Sequence, residues 1–202
     1  MNKAMLQFIE HRATEIRRMP SFYTFVAQRS LRILGLLLTA LAFPLASCED
    51  AYDNFPRTEV RFTCSLQQSP YSFITSPGQF LTVSKKGSSY IVEYPGQPAH
   101  IDGKQGVFLG FGGLILGYPV LSMNVTSQYV AYDRGCPVEA EDLTISKLNI
   151  NNDKREGKCP KCNTVYDLDT GFPKSGAGKK RLKEYTVITT STTTGTSLVV
   201  RN

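Results

Sequence analysis

Beyond residue 58 the chain consists of short alternating stretches divided by turn residues. Stretches rich in Val, Ile, Phe, Tyr and Thr stand at EVRFTCSL (59–66), YSFIT (71–75), QFLTVS (79–84) and SYIVEY (89–94). Ser69-Pro70, Pro77-Gly78, Lys86-Gly87 and Pro95-Gly96 separate them. Such residues between turn signals read as strands. The pattern returns in SQYVAYD (127–133), EDLTISKLNI (141–150), TVYDL (164–168), KEYTVITT (183–190) and SLVVRN (197–202). No long stretch in this part follows a period of 3.6 residues. Short strands at regular spacing predict an all-β fold over 59–202, an antiparallel sandwich or barrel.

Two segments depart from simple alternation. GVFLGFGGLILGYPVLSMNV (106–125) is apolar almost throughout and rich in glycine. A phosphate-binding loop needs a following helix and a Lys-Ser/Thr pair, and neither is present. Its glycines are therefore expected to let buried strands bend or approach closely. The threonine-rich TTSTTTGT (189–196) predicts a polar hairpin turn.

The first 58 residues differ. Ile33 to Leu45 reads ILGLLLTALAFPL, uncharged and apolar, with Arg29 and Arg32 before it and Ala46-Ser47-Cys48 after it. A basic start, a short apolar run and small exit residues predict a secretory signal peptide over 1–47. The run of 13 residues falls short of the roughly 20 that span a bilayer. Met19 is an alternative start within it. The exit LASC resembles a bacterial lipobox. That resemblance implies a lipidated Cys48 as the first mature residue, several acyl chains, and a location on the cell envelope, anchored to the membrane. CEDAYDNFPRT (48–58) is then an acidic tether between lipid and domain.

This division changes the meaning of the charge. The formal net charge is +6, and the residues before Cys48 hold +4 of it. A mature chain near +2 carries no nucleic-acid footprint. The run Lys179-Lys180-Arg181-Leu182-Lys183 reads as a solvated loop.

The candidate chemistry lies in the cysteines. Besides Cys48, the chain has Cys64, Cys136, Cys159 and Cys162. Two of them head Cys-Pro tips that follow β-segments: YDRGCPVEA (132–140) and GKCPKCNTVYDLDTG (157–171). The pair of loops resembles the Rieske iron–sulfur fold, which carries Cys-x-His on one loop and Cys-x-x-His on the other. VYDLDTGFP is similar to that family's Phe-Asp-x-x-x-Gly run. SGAGKKRLKEYTV is similar to its Gly-Pro-Ala-x-x-x-Leu-x-x-Tyr-x-Val close. GFGGLIL and Cys136-Pro137-Val138-Glu139 resemble segments of Rieske-like bacterial lipoproteins. The resemblance implies an antiparallel β-sandwich whose two hairpin loops form a metal-site tip.

The ligand set of that family is not reproduced. A Rieske centre holds one iron with two cysteines and the other with two histidines, and here the histidine positions are Val138 and Cys162. The chain has two histidines, His11 in the leader and His100 in GQPAHID. We therefore expect a degenerate tip. Cys136, Cys159 and Cys162 suit zinc, with Glu139, His100 or water as the fourth ligand. A [2Fe–2S] cluster would need Cys64 or Glu139 to complete it. Without metal, Cys159 can pair with Cys162, or Cys136 with either of them. A bridge between the two loops is worth about 3 kcal/mol on the chain-entropy estimate. Thioredoxin-like exchange at Cys-Pro-Lys-Cys lacks the helix that lowers the thiol pKa. Asp133, Glu139, Glu141 and Asp142 are read as solvated loop carboxylates. No nucleophile elbow or cofactor fingerprint is present. The expectation is a non-enzymatic structural or binding lipoprotein, the alternative an electron carrier with an atypically ligated cluster.

Overall fold

The structure, a computed structural model, describes residues 55–102, 106–121, 127–193 and 195–202. The expected signal peptide, Cys48 and the expected tether up to residue 54 lie outside the described residues, which all fall in the unit Asp50–Asn202. In chain order its strands are β1 (Val60–Ser65), β2 (Gln79–Lys86), β3 (Ser89–Glu93), β4 (His100–Asp102), β5 (Phe108–Leu109), β6 (Leu114–Tyr118) and β7 (Val130–Asp133). After the single-turn helix α1 (Pro137–Ala140) come β8 (Asn149–Asn151), β9 (Glu156–Lys158), β10 (Val165–Asp167), β11 (Pro173–Ser175), β12 (Glu184–Thr192) and β13 (Gly195–Arg201). The expected antiparallel all-β architecture is present. Nine strands form one sheet in the order β4-β3-β2-β6-β7-β12-β13-β1-β5, and four form a second in the order β11-β10-β9-β8. No described helix is long and apolar enough to cross a membrane.

The large sheet curls around its own core. Its last strand, β5, comes back into contact with β2 near the opposite end. Phe62, Leu81, Val83, Leu114, Leu116, Val187 and Val200 fill the enclosed space. The small sheet packs on the outside. Phe80, Ile115, Val130 and Tyr132 project from the large sheet into a second core, where they meet Leu148, Tyr166, Leu168 and Leu182. Strands β2, β6 and β7 are therefore covered on both faces, and this accounts for the near-continuous apolar run in the glycine-rich segment. Each fully buried side chain of this size contributes about 1.5–3 kcal/mol by leaving water.

Gly117 shows why that segment needs glycine. It lies opposite Phe80 in the β2–β6 ladder, and the Phe80 ring occupies the space a Cβ would take. Polar contacts then fix the two sheets together. The Asn152 amide donates to Phe80 O at 2.9 Å and accepts from Phe80 N at 3.2 Å, acting as a short extra strand. Asp169 accepts from Val120 N at 2.9 Å and pairs with Arg155 at 2.7 Å.

Two sequence expectations fail locally. YSFIT is a 3-10 helix, Tyr71–Thr75, instead of a strand. Its buried residues are Tyr71 and Ile74, a spacing of three that a 3-10 turn stacks on one side. In EDLTISKLNI, strand structure begins only at Asn149. Leu143 and Ile145 alternate with polar residues, yet both point to solvent, Leu143 with 73% exposure and a left-handed φ of 55°. This loop instead continues the turn of α1, with Leu143 N bonding Ala140 O and Thr144 N bonding Glu139 O. The threonine-rich hairpin is present, with β12 running to Thr192 and β13 starting at Gly195.

Candidate metal centre

Two loops supply the tip. The first leaves β7 and turns at Cys136, where Pro137 opens α1 with a φ already suited to a helix. The Cys136 N–H is taken by Ser146 O at 2.9 Å, and Ala140 N returns to Cys136 O at 3.0 Å. The second loop joins β9 to β10. Cys159 N donates to Thr164 O at 2.9 Å and Asn163 N to Cys159 O at 3.1 Å, with Asn163 left-handed at φ 59°. Asn tolerates that region better than most residues.

The sulfurs of Cys136, Cys159 and Cys162 converge, all within 4.8 Å of one another. Cys136 Sγ and Cys162 Sγ are 3.5 Å apart. A disulfide needs about 2.05 Å, and no disulfide joins these thiols. Sulfurs at about 2.3 Å from a tetrahedral zinc stand about 3.8 Å from one another, so the observed separation already approaches that of a shared metal ion. Cys136 and Cys159 are wholly buried in the second core, and Cys162 is partly exposed at its edge.

Hydrogen bonding on the two loops follows one plan. The backbone N–H groups of Val138 and Glu139 act on Cys136, and those of Lys161 and Cys162 act on Cys159. In each case the donors sit two and three residues after the cysteine, so Cys-Pro-Val-Glu and Cys-Pro-Lys-Cys form the same turn around a sulfur. The two thiols nonetheless differ. Burial pushes Cys136 up to about 12, outweighing its two N–H groups. Burial also opposes ionisation of Cys159, but the Ser146 hydroxyl at 3.3 Å and the two N–H groups prevail and hold it below the ordinary thiol value. Further hydroxyls complete the surroundings. Cys162 Sγ contacts Thr164 Oγ1 at 3.2 Å, and Cys136 Sγ contacts the Tyr166 hydroxyl at 3.8 Å. Burial and the nearby Cys136 push the Tyr166 phenol well above its usual value.

The remaining sequence candidates fall elsewhere. Among the described residues no Asp, Glu or His joins the three sulfurs. Glu139 directs its carboxylate to an ion pair with Lys161, linking one loop to the other. His100 is exposed on β4, the end strand of the large sheet. Cys64 lies in the first core on β1. Val138 packs against the second core and offers no donor atom. The Cys₂His₂ set does not fit these residues, whereas a single ion bound by three thiolates does.

The loop carboxylates are not uniformly solvated. Asp133 is 0% exposed. Its oxygens accept from Phe111 N at 2.8 Å, Gly112 N at 2.9 Å, Gly135 N at 2.6 Å and the Tyr185 hydroxyl at 2.7 Å. Burial pushes this carboxyl up while the four bonds pull it down, and burial prevails. Gly110 and Gly112 are explained here. A Cβ at Gly110 would lie 2.5 Å from Asp133 Oδ2, and one at Gly112 would run into the Gly135 backbone. The glycine-rich segment thus wraps a carboxylate that anchors the base of the first cysteine loop. Glu141 and Asp142 are exposed as expected, and Glu141 pairs with Lys180 at 3.0 Å.

No protein-family model matches this chain, and no curated protein matches it.

Proposed function

We propose that this protein is a lipid-anchored, Rieske-like module of the cell envelope whose tip holds a single metal ion in place of the two-iron cluster. The observation that carries this reading is the convergence of three sulfurs from two separate loops within 4.8 Å. The Cys-Pro motifs on both loops and the small sheet that presents them support the family likeness. Zinc is the ion first to be tested, since three cysteines and one further ligand form a tetrahedral zinc site. The role is structural or binding, because the tip lacks the histidines of a Rieske electron carrier. Lipidation at Cys48 supplies the membrane attachment.

Purification under strict exclusion of oxygen, followed by metal analysis and an absorption spectrum, tests the proposal. The expected result is one equivalent of metal per chain, no iron, and no visible absorption. Visible bands with two irons per chain would establish the electron-transfer alternative instead. The 3.5 Å approach of Cys136 and Cys162 supports one other reading, a disulfide that joins the loops without metal. Intact mass with and without reductant distinguishes it, because a bridge lowers the mass by two hydrogens.

A further inference from the structure

We propose that the tip holds its ion through Cys136, Cys159 and Cys162 alone, in trigonal geometry, and that the ion it favours is Cu(I). This rests on the reading of the tip as a metal site and specifies its ligand number and its ion. Three sulfurs meet, and no fourth carboxylate, imidazole or thiolate among the described residues meets them. Glu139, the nearest candidate in sequence, is occupied by Lys161. The other neighbours are hydroxyls: Ser146 beside Cys159, Thr164 beside Cys162 and Tyr166 beside Cys136. Neutral hydroxyls are hard, weak donors to a metal, but they suit hydrogen bonding to thiolate sulfur.

Side chains that flank the sulfurs pack closely against a neighbouring segment. Val138, Thr164 and Tyr166 converge on Gly178, where an added Cβ would lie 2.9–3.0 Å from atoms of all three. Gly178 N also donates to Thr164 Oγ1 at 3.1 Å, fastening this segment to the second cysteine loop. Cys136 and Cys159 are wholly buried, which leaves partly exposed Cys162 as the side from which an ion arrives. Zinc with these three sulfurs needs a fourth ligand that no described carboxylate, imidazole or thiolate supplies, so it would have to keep a water. Cu(I) has no such need: it is a d¹⁰ ion stable with three sulfur ligands, and soft thiolates select it. Uptake releases the three thiol protons and forms three Cu–S bonds, with no change of oxidation state. The resulting negative charge faces four backbone N–H groups and the Lys161 ammonium, which senses the charge of Cys159.

The test uses the lipidated full-length chain in detergent, kept anaerobic. Cu(I) is titrated against a chromogenic chelator, zinc alone is titrated in parallel, and X-ray absorption is recorded at the edge of each bound metal. The expected result is one Cu(I) per chain with three sulfur scatterers and no nitrogen or oxygen scatterer, together with displacement of zinc. Cys162→Ala should remove one scatterer and weaken Cu(I) by more than the roughly 10–100-fold that losing a ligand's hydrogen-bond partner costs. Cys64→Ala should change neither reading. Cu(I) bound by two sulfurs would overturn the proposal. So would zinc with three sulfurs and one light atom that equimolar Cu(I) does not displace, although the metal-site reading would survive. If neither metal binds, and two tip thiols resist alkylation until reduced, both readings fall and the disulfide stands.

Discussion

Removing one oxygen atom, in Tyr185→Phe, tests how the base of the cysteine loops is held. The Tyr185 hydroxyl donates to Asp133 Oδ2 at 2.7 Å, from β12 to the end of β7, and both residues are buried. Water therefore has no route to replace the lost bond. Phenylalanine keeps the ring, so packing in the first core is retained. The carboxylate is not left bare either, since Phe111, Gly112 and Gly135 still donate to it. The loss should thus equal one hydrogen bond to a charged group, about 1.5–3 kcal/mol, and not the full penalty of an unpaired buried charge. For a domain of this size that is a fall in Tm of about 4–8 °C. Urea titration at neutral pH, with metal loading matched, gives the free energy directly, and an unchanged slope shows that the unfolding surface is the same. A shift below about 0.5 kcal/mol would refute the claim that this bond is formed and shielded from water.

Three further outcomes follow from the same geometry. Gly117→Ala should cost about 1–3 kcal/mol by overpacking, because the Phe80 ring must leave its place; a thermal melt indistinguishable from wild type would count against the close approach. Asp169→Ala should destabilise more than Arg155→Ala in urea titrations, since Asp169 is buried and also accepts from Val120 N while Arg155 is partly exposed; the reverse order would contradict the assignment. Burial holds the Asp133 carboxyl above its ordinary value, so the folded chain takes up that proton before the unfolded one does. The stabilisation it brings is fully present below about pH 4 and is lost as pH rises through the folded value. Asparagine does not titrate, so wild type should gain on Asp133→Asn as pH falls, and a flat or opposite trend would negate the shift.

The alternation of apolar residues made the longer strands legible, because a period of two survives wherever one sheet face is buried. It misled at YSFIT, where burial at Tyr71 and Ile74 follows a spacing of three, and at Leu143 and Ile145, whose apolar side chains face solvent. Strands β4, β9 and β11 have three residues each, too few to show any period. The three thiols were legible from the paired Cys-Pro loops. The pairing of Glu139 with Lys161 was not, because it depends on how two loops 22 residues apart in sequence come to face each other. The role of Asp133 left one trace: a run of glycines with no phosphate-binding partner residues. Backbone N–H groups without side chains are what a buried carboxylate requires, and Phe111 and Gly112 lie 21–22 residues before it.

How far the proposed metal would support the fold can be argued from what else joins the two loops. Outside the sulfur cluster they are linked by the Lys161–Glu139 ion pair, whose ammonium is largely exposed and which therefore contributes little. Inside, the loops share the second core, where Cys136 and Cys159 pack among Leu148, Tyr166, Leu168 and Leu182 beneath Phe80 and Ile115. That core is complete without an ion, and the N–H groups around each sulfur are fixed by backbone bonds that do not involve the ion. These contacts do not depend on an ion, so folding is expected not to require the proposed metal, in contrast to zinc fingers. A chelator should remove the ion and lower Tm by mass action, yet leave a cooperative melt and an intact near-ultraviolet circular dichroism spectrum. Loss of that spectrum on chelation would show that the ion, and not the second core, holds the small sheet in place.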